Sequence, residues 1–117
     1  MAIPSGSGTE VLKRATTHNL NNTWSNIITG VANHIYTIVS IIITEQGGAS
    51  ETIRFFIADS DGSSNPHYIL PSTTLGSETA FVWNDKFVIT GNKKLMFESG
   101  NAANIDVICS YIDQDWT

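Results

Sequence analysis

The stretch Glu78–Tyr111, ETAFVWNDKFVITGNKKLMFESGNAANIDVICSY, reads as short strands punctuated by turns, with Trp83-Asn84-Asp85 and Gly91-Asn92-Lys93 as the bends. Its last segment alternates: Ile105, Val107, Cys109 and Tyr111 share one face, as the two-residue period of a half-buried strand requires. The expectation is an antiparallel meander, and nothing in it names a reaction.

Working upstream, His34–Glu45 is the longest apolar run, with Ile35, Val39, Ile41 and Ile43 on one side and Tyr36, Ile38 and Ile42 on the other. Apolar residues on both faces predict a central strand covered on both sides. Gln46 to Ser50 reads as a hairpin connection into a strand where Ile53, Phe55 and Ile57 alternate with Thr52, Arg54 and Ala58. His67 to Leu70 reads as a short strand stopped by Pro71, Ser25 to Thr29 as a brief strand ended by Gly30, and Glu10 to Ala15 as a strand or turn. About eight strands, no helical period and short Gly, Asn and Asp turns predict an all-β fold, an antiparallel β-sandwich of jelly-roll or immunoglobulin-like connectivity.

At 117 residues the chain is the size of one domain. Residues 1–12, opening with Pro4 and a Ser/Gly alternation, are expected to form a flexible N-terminal arm, and residues 13–117 the sandwich. Charged residues make up 15%, against roughly 25% in globular proteins generally, so the surface is sparsely charged and a partner is expected to cover part of it. A net charge of −5 with six scattered Lys and Arg argues against nucleic acid as a partner. The start lacks the pattern of a secretion leader, and Ile35–Ile43 is too short to span a bilayer as a helix, so no membrane is expected.

The remaining constellations favour structure over chemistry. Asp59, Asp61 and Asn65 are oxygen donors in one loop, but they lack the ligand spacing of a calcium loop and fit a turn. His18, His34 and His67 are far apart, with no metal-ligand partner at close spacing, and strand-end positions are expected for them. No nucleophile elbow or phosphate loop is present. Neither catalytic nor metal nor cofactor-binding residues are nominated, and no cofactor is expected. Cys109, the lone cysteine, reads as a small buried hydrophobe. The Asn21-Asn22-Thr23 acceptor pattern is discounted without a leader. Trp24, Trp83, Trp116, Tyr36, Tyr68 and Tyr111 are assigned to core and corner packing in preference to a sugar-stacking face.

From Ile35 onward the order of elements resembles small β-sandwich virion proteins of tailed bacteriophages. The likeness is carried by Tyr36–Thr44, Ile53–Asp59, Ile69-Leu70-Pro71-Ser72, Lys86–Gly91, Lys94–Glu98 and Ala103–Asp113. Gly91-Asn92 stands where such proteins have Gly-Asp, and the closing Ile105-Asp106-Val107-Ile108-Cys109-Ser110-Tyr111-Ile112 is similar to their last strand. The resemblance implies a non-enzymatic capsid decoration (cement) protein, located in the virion, assembled in the host cytoplasm as a homo-oligomer, commonly a trimer, on the major capsid protein or other virion proteins. It implies, as an alternative, a tail or fibre component contacting host glycans. A cellular carbohydrate-binding or immunoglobulin-like module is the alternative from another class. The arm and the ends of the long strand are expected to make the intersubunit contacts, with Ile3, Pro4, Val11, Leu12, Trp24 and Trp116 as the candidate contact residues.

Overall fold

The computed structural model describes residues 8–18, 25–59, 65–100 and 104–116. They form nine strands: β1 (Thr9–Thr17), β2 (Ser25–Thr29), β3 (His34–Glu45), β4 (Glu51–Asp59), β5 (His67–Leu75), β6 (Ala80–Trp83), β7 (Phe87–Thr90), β8 (Lys93–Ser99) and β9 (Ile105–Asp115). No helix occurs among the described residues, so none is long and apolar enough to cross a membrane.

Two antiparallel sheets pack face to face. One runs β1-β9-β3-β6, with β7 pairing the same edge of β3 as β6; the other runs β2-β8-β4-β5. Ile35–Ile38 bind β7 and Ile41–Thr44 bind β6, so β6 and β7 are two halves of one strand broken at 84–86. With that strand counted once, the order is that of a jelly roll. The all-β sandwich reading holds, and the connectivity left open by the residues is jelly-roll.

Long-range pairing overturns the meander. β7 and β8, expected to be neighbours across Gly91-Asn92, lie in different sheets, β7 on β3 and β8 between β2 and β4. The turn is a corner crossing between layers. A Cβ on Gly91 would stand 2.2 Å from the Val31 carbonyl oxygen, so only glycine allows the two chain segments to cross that closely. Residues 46–50 are likewise a crossover: β3 and β4 belong to opposite sheets, so the hairpin expected there does not form. Pro71 does not end β5, which continues to Leu75. It sits on an edge strand where the β4–β5 register slips between Phe55↔Leu70 and Ile53↔Thr73, the kind of irregular edge position that tolerates a missing N–H. Thr9–Leu12, assigned to the arm from sequence, are the first part of β1 and pair with Asp115 to Ile112 of β9.

β3 is the central strand expected, held by β9 on one edge and by β6 and β7 on the other. A bulge at Val39 shifts its phase: Ile38 opposes Tyr111, and Ser40 opposes Ser110. The buried face is therefore Tyr36 and Ile38 before the bulge and Ile41, Ile43 and Glu45 after it, and neither face has the composition read from strict alternation. The other face carries Ile42, 36% exposed, so β3 is not covered on both sides.

The core fills the space between the layers. Ile38, Ile41, Ile43, Ile89, Ile105, Val107 and Cys109 come from the five-stranded sheet and Ile28, Ile53, Phe55, Leu75, Leu95 and Phe97 from the four-stranded one. Phe55 and Phe97, both fully buried, stack with centroids 4.8 Å apart, and Trp83 meets Phe55 edge-on at 5.5 Å. Such burial is the main force holding the sheets together, worth about 2–3 kcal/mol per large apolar side chain.

Candidate interaction surface

Cross-strand register fixes what the outer face of the five-stranded sheet presents, because residues directly opposite in an antiparallel pair share a face. One row is Leu12, Ile112, Thr37 and Val88. Another is Thr16, Ile108, Ile42 and Val82. Between them lie Arg14, Ser110 and Ser40. Leu12 is 72% exposed, Val88 53%, Val82 51% and Ile108 38%, so two apolar rows open to solvent flank a hydroxyl row with one cation at its edge. Polar pairs close both ends. Gln114 Nε2 donates to Glu10 Oε1 at 2.9 Å at one, and Asp106 takes His18 and, at 2.6 Å, Gln46 Nε2 at the other. Exposed apolar rows inside a hydrogen-bonded rim have the layout of a protein contact surface.

The described candidate contact residues divide. Leu12 belongs to this face. Val11, 48% exposed, pairs with Asp113 and points to the other side of the sheet. Trp116 folds back: its backbone N–H donates to the Asn33 carbonyl at 3.0 Å and its ring lies on Gly8, where a Cβ would stand 2.3 Å from the indole. Its Nε1 is buried with no hydrogen-bond partner among the described residues. Ile3, Pro4 and Trp24 lie outside the described residues. The exposed face is only partly legible in the sequence, because the Val39 bulge, which decides which residues of β3 point outward, leaves no local signature.

The ends of β3, expected to be exposed, are engaged within the chain. His34 Nδ1 stands 2.7 Å from Asp113 Oδ1 and its Nε2 3.5 Å from Asp115 Oδ1, while Lys13 Nζ donates to Asp113 Oδ2 at 2.8 Å. Burial alone would raise the Asp113 carboxyl, but the bonds from Lys13 and His34 outweigh it and hold the group below the usual Asp value. The same pair raises Lys13. At the far end Glu45, 2% exposed, accepts the N–H of Gly47 at 2.6 Å and of Glu78 at 2.8 Å. The Glu78 N–H foremost, against the effect of burial, holds its carboxyl below the ordinary range.

The other sequence candidates also have structural partners. Asp59 takes the Asn65 amide at 2.8 Å and the Lys93 ammonium. The histidines sit at strand ends, His18 just past β1, His34 opening β3 and His67 opening β5. Tyr36 is buried, Tyr111 meets it edge-on, and Tyr68 packs on Phe56 at 5.0 Å with Arg54 over its ring. Cys109 is fully buried, and burial pushes its thiol up to about 12. A hollow of about 500 Å³ is lined by Ala32, Asn33, His34, Thr90, Gly91 and Asn92, and His34 is the titratable side chain among these. Among the described residues no group of three or more His, Cys, Asp or Glu side chains is placed to hold a metal ion.

Chains of known structure share this fold. A chain from the disulfide-linked pili that form Bacillus endospore appendages superposes with a TM-score of 0.59 at 13% identity, over 100% of this chain and 97% of that one. A chain from the acid-stable capsid of Helicobacter pylori bacteriophage KHP30 gives 0.53 at 15% identity, over 95% of each. A chain from infectious bursal disease virus gives 0.57 at 10% identity, over 96% of this chain and 34% of that one. At these identities the likeness is one of fold. No protein-family model and no curated protein sequence matches the chain.

Proposed function

We propose that the chain is a non-enzymatic structural protein of a virion, a capsid decoration subunit that bridges neighbouring capsomers through the outer face of its five-stranded sheet. The observation that carries this reading is the apolar face itself, with Leu12, Val82, Val88, Ile42 and Ile108 open to solvent inside a polar rim. Four strands about 4.8 Å apart and a twelve-residue β3 rising about 3.3 Å per residue give a face of roughly 750 Å². That is close to the ~800 Å² a standard interface buries on each partner. The sparse charge of the chain accords with a surface that is covered in use.

The fold likeness supports the same reading, since the pilus and capsid structures are both assemblies of repeated subunits and the phage capsid chain is matched over nearly its full length. A clamp at the joint between capsomers adds contact that exists only in the assembled shell, so it stabilises the shell by mass action. Residues ahead of β1, with Ile3 and Pro4, extend that contact in this account.

The test is binding to capsids that lack the chain. Lysines at Ile108 and Val82 lie on the exposed face and leave the core untouched, so the double variant folds but fails to occupy the shell. Full occupancy by a folded Ile108→Lys, Val82→Lys protein would exclude this face as the dock.

A further inference from the structure

We infer that β1 pairs with β1 of a second copy, antiparallel and centred on Leu12, joining two five-stranded sheets across a two-fold axis. β1 is an edge strand: its nine residues pair with β9 in unbroken register, and no other described strand pairs with it. It has no proline and no bulge, two of the devices by which natural edge strands avoid pairing with another chain. Its basic residues are the remaining guard. Lys13 is tied to Asp113 within the chain, whereas Arg14 takes no ion-pair partner among the described residues.

The charge pattern then selects a second copy of the same strand. With Leu12 opposite Leu12, Glu10 of each copy falls opposite Arg14 of the other, twice across the axis, and Val11 falls opposite the methylene stem of Lys13. Leu12, the most exposed large apolar residue described, is covered at the centre by its own twin. Neighbouring registers do worse. Centring on Lys13 opposes two ammonium groups, centring on Glu10 or Arg14 opposes like charges, and centring on Val11 leaves Glu10 facing Leu12. The contact is isologous and closes as a dimer, in place of the trimer that the resemblance to phage proteins implies. It uses the strand edge and leaves most of the sheet's outer face free, so it stands whether or not the chain decorates a shell.

The test is made on the purified full chain. Residues directly opposite in an antiparallel ladder have Cα atoms about 4.5 or 5.5 Å apart, inside the range of about 4.4–6.8 Å that a disulfide spans. Leu12→Cys is therefore expected to form a covalent dimer under mild oxidation. Thr16→Cys is not, since its two copies would stand eight residues apart along the ladder, roughly 26 Å. In light scattering, Glu10→Arg or Arg14→Glu is expected to weaken dimerisation roughly tenfold or more, and the double swap Glu10→Arg, Arg14→Glu to restore it. A folded wild-type protein that stays monomeric, an oligomer indifferent to both single reversals, or Thr16→Cys linking as readily as Leu12→Cys would overturn the pairing.

Discussion

His34, the first residue of β3, and Asp113, near the end of β9, are joined by a 2.7 Å contact between Nδ1 and Oδ1. The Asp113 side chain is 7% exposed and also holds Lys13 of β1, so one carboxylate ties together three adjacent strands of the five-stranded sheet.

Asp113→Ala is expected to cost roughly 1.5–3 kcal/mol, the range for hydrogen bonds to charged groups, with the half-exposed Lys13 contributing the smaller share. The loss depends on pH. Folding depresses the Asp113 pKa, so its stabilisation is complete above the ordinary carboxylate value and drains as pH falls through the depressed one. Urea unfolding at neutral pH and below about pH 4 checks this: the wild type and the variant converge in acid.

Glu45→Ala removes the acceptor of the Gly47 and Glu78 amides and so loosens two loops at once, 46–50 and 76–79. Both amides are expected to lose protection in hydrogen exchange, while amides of β9 keep theirs. Because the Glu45 pKa is also depressed, acid reproduces the effect in the wild type as pH falls below the usual Glu range.

Phe97→Ala opens a cavity beneath the stacked Phe55 and is expected to cost about 3–5 kcal/mol in chemical denaturation, enough to unfold a marginal domain. Phe97→Leu, which keeps most of the volume, is expected to lose much less.

Burial pushes the Cys109 thiol up to about 12, so almost none of it is the reactive thiolate near neutral pH. Iodoacetamide is expected to leave the native protein unmodified and to label it once denaturant unfolds the sheet. Labelling of the folded chain at the rate of a free thiol would contradict the burial.

What the residues reveal on their own follows the range of the forces involved. Strand β3 and the alternation Ile105, Val107 and Cys109 are legible because burial imposes a period on consecutive residues. Gly91-Asn92 and Gly47-Gly48 announce turns, yet a hairpin and a corner between sheets ask the same backbone freedom of a glycine, so only pairing with distant strands tells them apart. The Val39 bulge hides for the same reason: every residue from Ile38 to Ile43 except Ser40 is apolar, and a one-residue slip leaves no mark in such a run. The exposed face inherits that invisibility at Ile42, which differs from buried Ile41 and Ile43 only in phase, whereas Ile108 follows from the alternation of β9.

The most direct measurement is a density map of the particle with which the chain co-purifies from its source. The account predicts the jelly roll on the outside of a shell, at joints between capsomers, with Val82, Val88 and Ile108 covered by the neighbouring protein. A map with those side chains facing solvent, or a chain that purifies free of any particle, would contradict it.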